Sequence, residues 1–126
     1  MMNFYRCRHC GNIIAYLHDS GVKVVCCGED MMKLVAHKND DTANEKHVPV
    51  IDVQGSHVTV KVGSVEHPMT EAHYIEWIAL ETKLGHQRKE LKFTDKPIAE
   101  FEMVEGDEVV AAFIYCNIHG LWSKEL

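Results

Sequence analysis

After about residue 45, hydrophobic and polar positions alternate with the two-residue period of β-strands. Residues 48–53, Val-Pro-Val-Ile-Asp-Val, run into Gln54-Gly55-Ser56, and Val58, Val60 and Val62 then alternate with Thr59 and Lys61 up to Gly63. Branched residues on either side of a turn predict a hairpin. Residues 73–80, rich in aromatic and branched side chains, predict another strand, and residues 90–93 a weaker one. Residues 99–104 and 108–116 flank Glu105-Gly106-Asp107, a second hairpin signal. No stretch sustains an apolar 3.6-residue period, so helix should be minor. Six or seven short strands in about ninety residues predict an all-β chain built on an antiparallel sandwich of immunoglobulin-like type.

The first 36 residues differ: they hold four of the five cysteines and little alternation. So short a segment cannot bury enough apolar surface to fold unaided and needs a staple. Residues 38–44, Lys-Asn-Asp-Asp-Thr-Ala-Asn, are polar and turn-prone. The organisation expected is a metal-bound module at 1–36, a linker at 37–44 and a sandwich at 45–126. Net charge is −6 over 126 residues without a basic block, which argues against a nucleic-acid or anionic-membrane surface. No run approaches the roughly 20 apolar residues that span a bilayer. The opening Met1-Met2-Asn3-Phe4-Tyr5-Arg6-Cys7 lacks the apolar core of an export signal, so a cytoplasmic location is expected.

Five cysteines and nine histidines in so short a chain point at metal. Cys7-Arg8-His9-Cys10-Gly11 is a C-x-x-C pair, and Cys26 and Cys27 stand together before Gly28. Two such knuckles can surround one tetrahedral ion, with glycines letting backbone amides turn toward the sulfurs. Adjacent cysteines chelate awkwardly, so distortion is expected. A disulfide framework is the bland reading, disfavoured where thiols stay reduced. Four thiolates suit zinc and iron alike.

In the second region His47 opens a strand, His67 and His73 bracket a loop, and Cys116-Asn117-Ile118-His119 closes the last predicted strand. A lone histidine on a strand is usually an ordinary polar residue. Together, C-x-x-H offers a local two-ligand bite and the His67–His73 loop can bring two imidazoles to one rim. Four neutral imidazoles and a thiolate suit iron or copper better than zinc and leave one octahedral position open for chemistry.

These residues resemble the desulfoferrodoxin family, two-iron superoxide reductases, from end to end. The first region is similar to desulforedoxin in Cys7-x-x-Cys10-Gly11-Asn12-Ile13 and Val25-Cys26-Cys27-Gly28-Glu29. The second carries Glu45-Lys46-His47-Val48-Pro49, Lys61-Val62-Gly63-Ser64-Val65, His67-Pro68-Met69, His73-Tyr74-Ile75-x-Trp77-Ile78 and Cys116-Asn117-x-His119-Gly120-Leu121-Trp122. Asp30 departs from the proline common there, and residues 82–92 match loosely.

The resemblance implies an electron-transfer iron on Cys7, Cys10, Cys26 and Cys27, with zinc possible in the isolated protein. It implies a second iron with His47, His67, His73 and His119 in its plane and Cys116 on its axis. Glu45 and Lys46 would lie on a mobile loop over the open position, an expectation to set against the backbone at 44–47. The activity implied is one-electron reduction of superoxide to hydrogen peroxide, with a small donor such as rubredoxin and a homodimer. With a net charge of −6 repelling an anion, Lys46 is the natural local attractor. Glu45 would close the site after product leaves. Each ligand imidazole should donate its other N–H to a carbonyl or carboxylate, and amides near 117–119 should face the Cys116 sulfur. Tyr74 and Trp77 would pack around the site or fill core. The alternative is a non-catalytic iron protein for electron transfer or redox sensing.

Overall fold

The computed structural model describes residues 1–38 and 44–126, and the side chains of Asn44 and Glu45 fall outside that description. The chain divides into two units, Met1–Val35 and Ala36–Leu126. The linker expected from the sequence spans residues 37–44. His37 and Lys38 belong to the second unit: the His37 N–H donates to the Leu121 carbonyl at 2.9 Å, and Lys38 pairs with Glu125 at 2.8 Å. The rest of that linker, residues 39–43, lies outside the described residues.

In the first unit, β1 (Phe4–Arg6) pairs with both β2 (Ile13–Ala15) and β5 (Met32–Lys33), while β3 (Val25–Cys26) pairs with β4 (Glu29–Asp30). Its buried residues are few, with Phe4, Cys7 and Met31 the main ones. Strands of two or three residues are too short to display an alternating pattern, which is why the sequence hid them.

The second unit is two antiparallel sheets. One has the order β10-β7-β6, with β6 (Pro49–Gln54), β7 (His57–Val62) and β10 (Ile98–Glu102). The other has the order β12-β11-β8-β9, with β8 (Ile75–Thr82), β9 (Gly85–Glu90), β11 (Val109–Cys116) and β12 (Gly120–Glu125). A single helical turn, α1 (Asn44–His47), precedes β6. Val58, Val60, Val62, Ala99 and Phe101 from the first sheet meet Ile78, Leu80, Ala112, Ile114 and Trp122 from the second. This is the sandwich core that the alternation implied. No described helix is long and apolar enough to cross a membrane.

Three strand expectations need correction. Residues 99–104 and 108–116 do not form a hairpin: β10 pairs with β7 and β11 with β8 and β12, so the Glu105-Gly106-Asp107 turn carries the chain between sheets. The strand expected at 90–93 is β9, which ends at Glu90; its Gly-His-Gln-Arg-Lys-Glu sequence is a polar sheet edge. β12 was not anticipated. Phe101 is 2% exposed at the centre of this core, so Phe101→Ala should cost about 3–5 kcal/mol in denaturant unfolding of the second unit.

Candidate functional site

The first unit gathers the four sulfurs of Cys7, Cys10, Cys26 and Cys27 within 4.8 Å of one another. The adjacent pair manages this through its backbone. Cys27 takes φ +51° and Gly28 φ +79°. Two successive left-handed residues, the second a glycine that does so without strain, swing Cys27 round to the side of Cys26. The first knuckle is tied by Cys7 N–H to Asn12 O at 2.9 Å and Gly11 N–H to Cys7 O at 3.1 Å. Amides of His9 and Cys10 both donate to the Cys7 sulfur at 3.4 Å, and Asn12 Nδ2 approaches the Cys26 sulfur at 3.8 Å.

These donors divide the thiols electrostatically. The Cys10 amide leads in lowering the Cys7 thiol to about 6. Cys27, crowded by the sulfurs of Cys7, Cys10 and Cys26, is pushed up to about 12. Cys26 is raised too, chiefly by Cys10. Four sulfurs so close cannot all be anionic unless a cation sits among them, and four thiolates are the donor set of tetrahedral zinc or iron. His9 is exposed beside Glu29 at 3.2 Å, outside the sulfur cluster.

In the second unit the site lies at one end of the sandwich. His47 ends α1, His67 and His73 lie between β7 and β8, Cys116 ends β11, and His119 lies in the turn to β12. Donor atoms of His47, His67, His73 and Cys116 all fall within 4.8 Å of one another. His119 joins them, its Nδ1 lying 3.1 Å from His47 Nε2 and 3.6 Å from the Cys116 sulfur. The imidazoles close a four-membered circuit. Ring centroids are 4.7 Å apart for His47–His67, His67–His73 and His47–His119, and 5.1 Å for His73–His119. Across the diagonal, His47 and His73 are 6.4 Å apart. Such a square of rings surrounds one point.

The nitrogens are presented for binding. His67 Nδ1 lies 2.7 Å from the Pro68 carbonyl, which can only accept, so the proton is on Nδ1 and the Nε2 lone pair faces His47 Nε2 at 3.2 Å. Burial drives the His67 pKa down to about 4, leaving a neutral imidazole near neutral pH. His73 Nε2 is buried without any hydrogen-bond partner. An orphaned buried nitrogen is costly in a folded protein, and a cation within the circuit would satisfy it. Burial raises the Cys116 thiol, while the amides of His119 and Ile118 oppose that by favouring the thiolate. The His119 amide donates to the sulfur at 3.4 Å. A register shift between Tyr115 and Cys116 opposite β8 re-aims the end of β11 beside the site.

Three supporting residues were not singled out from the sequence. Trp122 stacks on His47 at 4.7 Å and 18° and donates its indole N–H to the His119 carbonyl at 3.2 Å. Asn117 accepts the Tyr74 N–H at 2.9 Å and donates to the Ala72 carbonyl at 3.0 Å, bracing the loop that carries His73. Pro68 fixes the His67 tautomer. Trp77 instead stacks on Tyr115 at 5.8 Å, and Tyr74 faces Phe93 at 6.3 Å. Lys46 is exposed, and its charge lowers the His73 pKa after burial and His119 have done so. The side chain of Glu45 lies outside the described residues.

Comparison with known proteins matches the N-terminal domain of desulfoferrodoxin over residues 1–34 and the main desulfoferrodoxin domain over 39–125. A desulfoferrodoxin homolog of Archaeoglobus fulgidus is 50% identical over 124 residues, covering 98% of this chain and 97% of the relative. Desulfoferrodoxin of Nitratidesulfovibrio vulgaris is 50% identical over 121 residues, covering 96% and 94%. The crystal structure of the superoxide reductase from Treponema pallidum superimposes with a TM-score of 0.83 at 36% identity, covering 99% of this chain and 98% of that one. With both regions matched, in order and over nearly their whole length, the chain belongs to the desulfoferrodoxin family.

Proposed function

We propose that this protein is a superoxide reductase, adding one electron and two protons to superoxide to give hydrogen peroxide. The observation that carries this reading is the closed circuit of four imidazoles with one thiolate beside it, a five-donor set that leaves a six-coordinate ion one position for a small ligand. Support comes from the likeness to the Treponema pallidum superoxide reductase. Cys7, Cys10, Cys26 and Cys27 are proposed to hold a first iron confined to electron transfer, and His47, His67, His73, His119 and Cys116 to hold the second iron. Iron held by the five side chains would supply the electron and the exchangeable position that superoxide requires.

The protein's own groups do the rest. Neutral imidazoles cancel none of a divalent ion's charge and the thiolate cancels one unit, so the site attracts an anion. The amides of His119 and Ile118 temper the donation of the Cys116 sulfur. Pro68 and Trp122 hold His67 and His47 in their orientations. Lys46 is assigned the recruitment of superoxide against a net charge of −6, acting where screening is weakest. Glu45 is assigned the closing of the open position between turnovers.

Lys46→Ala should slow second-order association of superoxide severalfold and flatten its ionic-strength dependence in pulse radiolysis; a rate unchanged at low salt would remove Lys46 from the mechanism. The reductase assignment itself is tested by exposing the reduced protein to pulse-generated superoxide. Peroxide without dioxygen is expected. Evolution of dioxygen would mean a dismutase, and no consumption would mean a non-catalytic iron protein.

The donor is proposed to be a small one-electron carrier such as rubredoxin. The cytoplasm, where thiols stay reduced, is the proposed compartment. A homodimer is proposed as well, in keeping with the apolar Leu17, Val22 and Val35 of the first unit, which are 99%, 74% and 80% exposed.

A further inference from the structure

The geometry points to a column of stacked rings, His37–Trp122–His47, as the route by which an electron enters the second metal centre; this rests on the reductase reading above. Each turnover removes one electron from that centre, and one must return while the open position stays free for the anion. His47 and Trp122 are buried, at 1% and 4% exposure, and their rings lie nearly parallel, 4.7 Å apart at 18°. The other ring against the indole is His37, 4.9 Å away at 41°. His37 is half-buried, so the column runs from the surface to a side chain that would hold iron.

The column is held at several points. His37 lies in a parallel bridge with Trp122, its N–H on Leu121 O at 2.9 Å and its carbonyl accepting from Ser123 N–H at 3.0 Å. The indole N–H is anchored on His119 O at 3.2 Å. Trp122 therefore touches His47 through its face and His119 through its edge, two of the four imidazole residues. By contrast, the Cys116 thiol is wholly buried in the sandwich core. His37 is also the second residue after the first unit ends at Val35.

The step is a bare electron transfer. One electron leaves a reduced iron–thiolate carrier protein and one arrives at the oxidised centre; no bond forms or breaks and no proton moves. Overlapping π systems couple the two ends, and the indole is itself neither oxidised nor reduced.

The test mixes the oxidised, iron-loaded full chain with saturating reduced rubredoxin and follows bleaching of the second centre's thiolate band. Saturation separates transfer from docking. His37→Ala and His37→Leu should each slow the first-order bleaching severalfold, and His37→Phe, which restores a ring, should recover most of it. Band positions should match the native protein in all three, a result that loosened packing at the site would not give. Native bleaching rates in both His37→Ala and His37→Leu would overturn the proposal. Shifted bands would also overturn it, because the stack would then act by holding His47. The reductase reading fails separately, if the reduced native chain does not consume superoxide.

Discussion

Cys116→Ser is expected to leave the sandwich folded and abolish its chemistry. The sulfur is fully buried among core residues at the end of β11. Serine has nearly the same shape, and its hydroxyl finds the His119 amide that now donates to sulfur at 3.4 Å. The stability cost should therefore stay within about 1–3 kcal/mol. The electronic change is large by comparison. A soft, polarisable thiolate becomes a hard hydroxyl that stays protonated at neutral pH, and the proposed five-residue donor set loses its one anionic member. Loss of a group that merely orients a ligand commonly costs 10–100-fold in affinity or activity, so loss of Cys116 as the proposed ligand should cost at least about a hundredfold in the rate of superoxide consumption. The visible thiolate band of the second centre should vanish while that of the first remains. Stopped-flow kinetics and an absorption spectrum check both halves, and a serine variant that kept either the band or the rate would contradict the assignment of Cys116.

Cys10→Ser should produce the opposite pattern, with structure lost in one unit and chemistry kept in the other. Cys10 is exposed, so the change disturbs no packing. Its sulfur is one of four holding a unit of only thirty-five residues, Met1–Val35, whose buried residues are few. In small thiolate-zinc modules the metal supplies about 10–16 kcal/mol of apparent binding energy, which is also folding energy. So small a unit has no comparable reserve. Amide exchange over β1, β2 and β5 should rise to that of an unfolded chain, and one metal per chain should be lost. The second unit should melt as before, and its reduced centre should still consume superoxide. Protection surviving across the first unit after metal loss would show that apolar packing, not the metal, holds it.

How far the sequence disclosed this molecule varied with the physics of each part. The Val58-Val60-Val62 alternation of β7 was legible because one face of that strand is buried and the other wet. β9 was misplaced because a polar edge strand buries too little to leave a pattern. The turn at Glu105-Gly106-Asp107 was recognised but not its destination; a glycine turn looks alike whether it reverses within a sheet or steps to the other.

The sulfur site was legible as two knuckles. The positive φ of Cys27, which lets adjacent cysteines face one another's partners, leaves no trace except the glycine that follows. At the histidine site, residue types and the Cys116–His119 spacing suggested a metal. The expectation that the four imidazoles lie in one plane comes from the family resemblance alone, because ring order depends on which loops meet at one end of the sandwich. Trp122 shows the limit most clearly: its stacking on His47 joins residues 75 positions apart, brought together by α1 and β12.

In the reduced form, five side chains and no sixth are proposed to hold one ion at the end of the sandwich. The direct measurement is an anomalous-scattering map at the iron edge from crystals of the reduced, iron-loaded protein. One peak should sit within bonding distance of Nε2 of His47, His67 and His73, Nδ1 of His119 and the sulfur of Cys116, with no protein atom on the side opposite the sulfur. A peak elsewhere, or a sixth protein donor occupying that side in the reduced form, would contradict it.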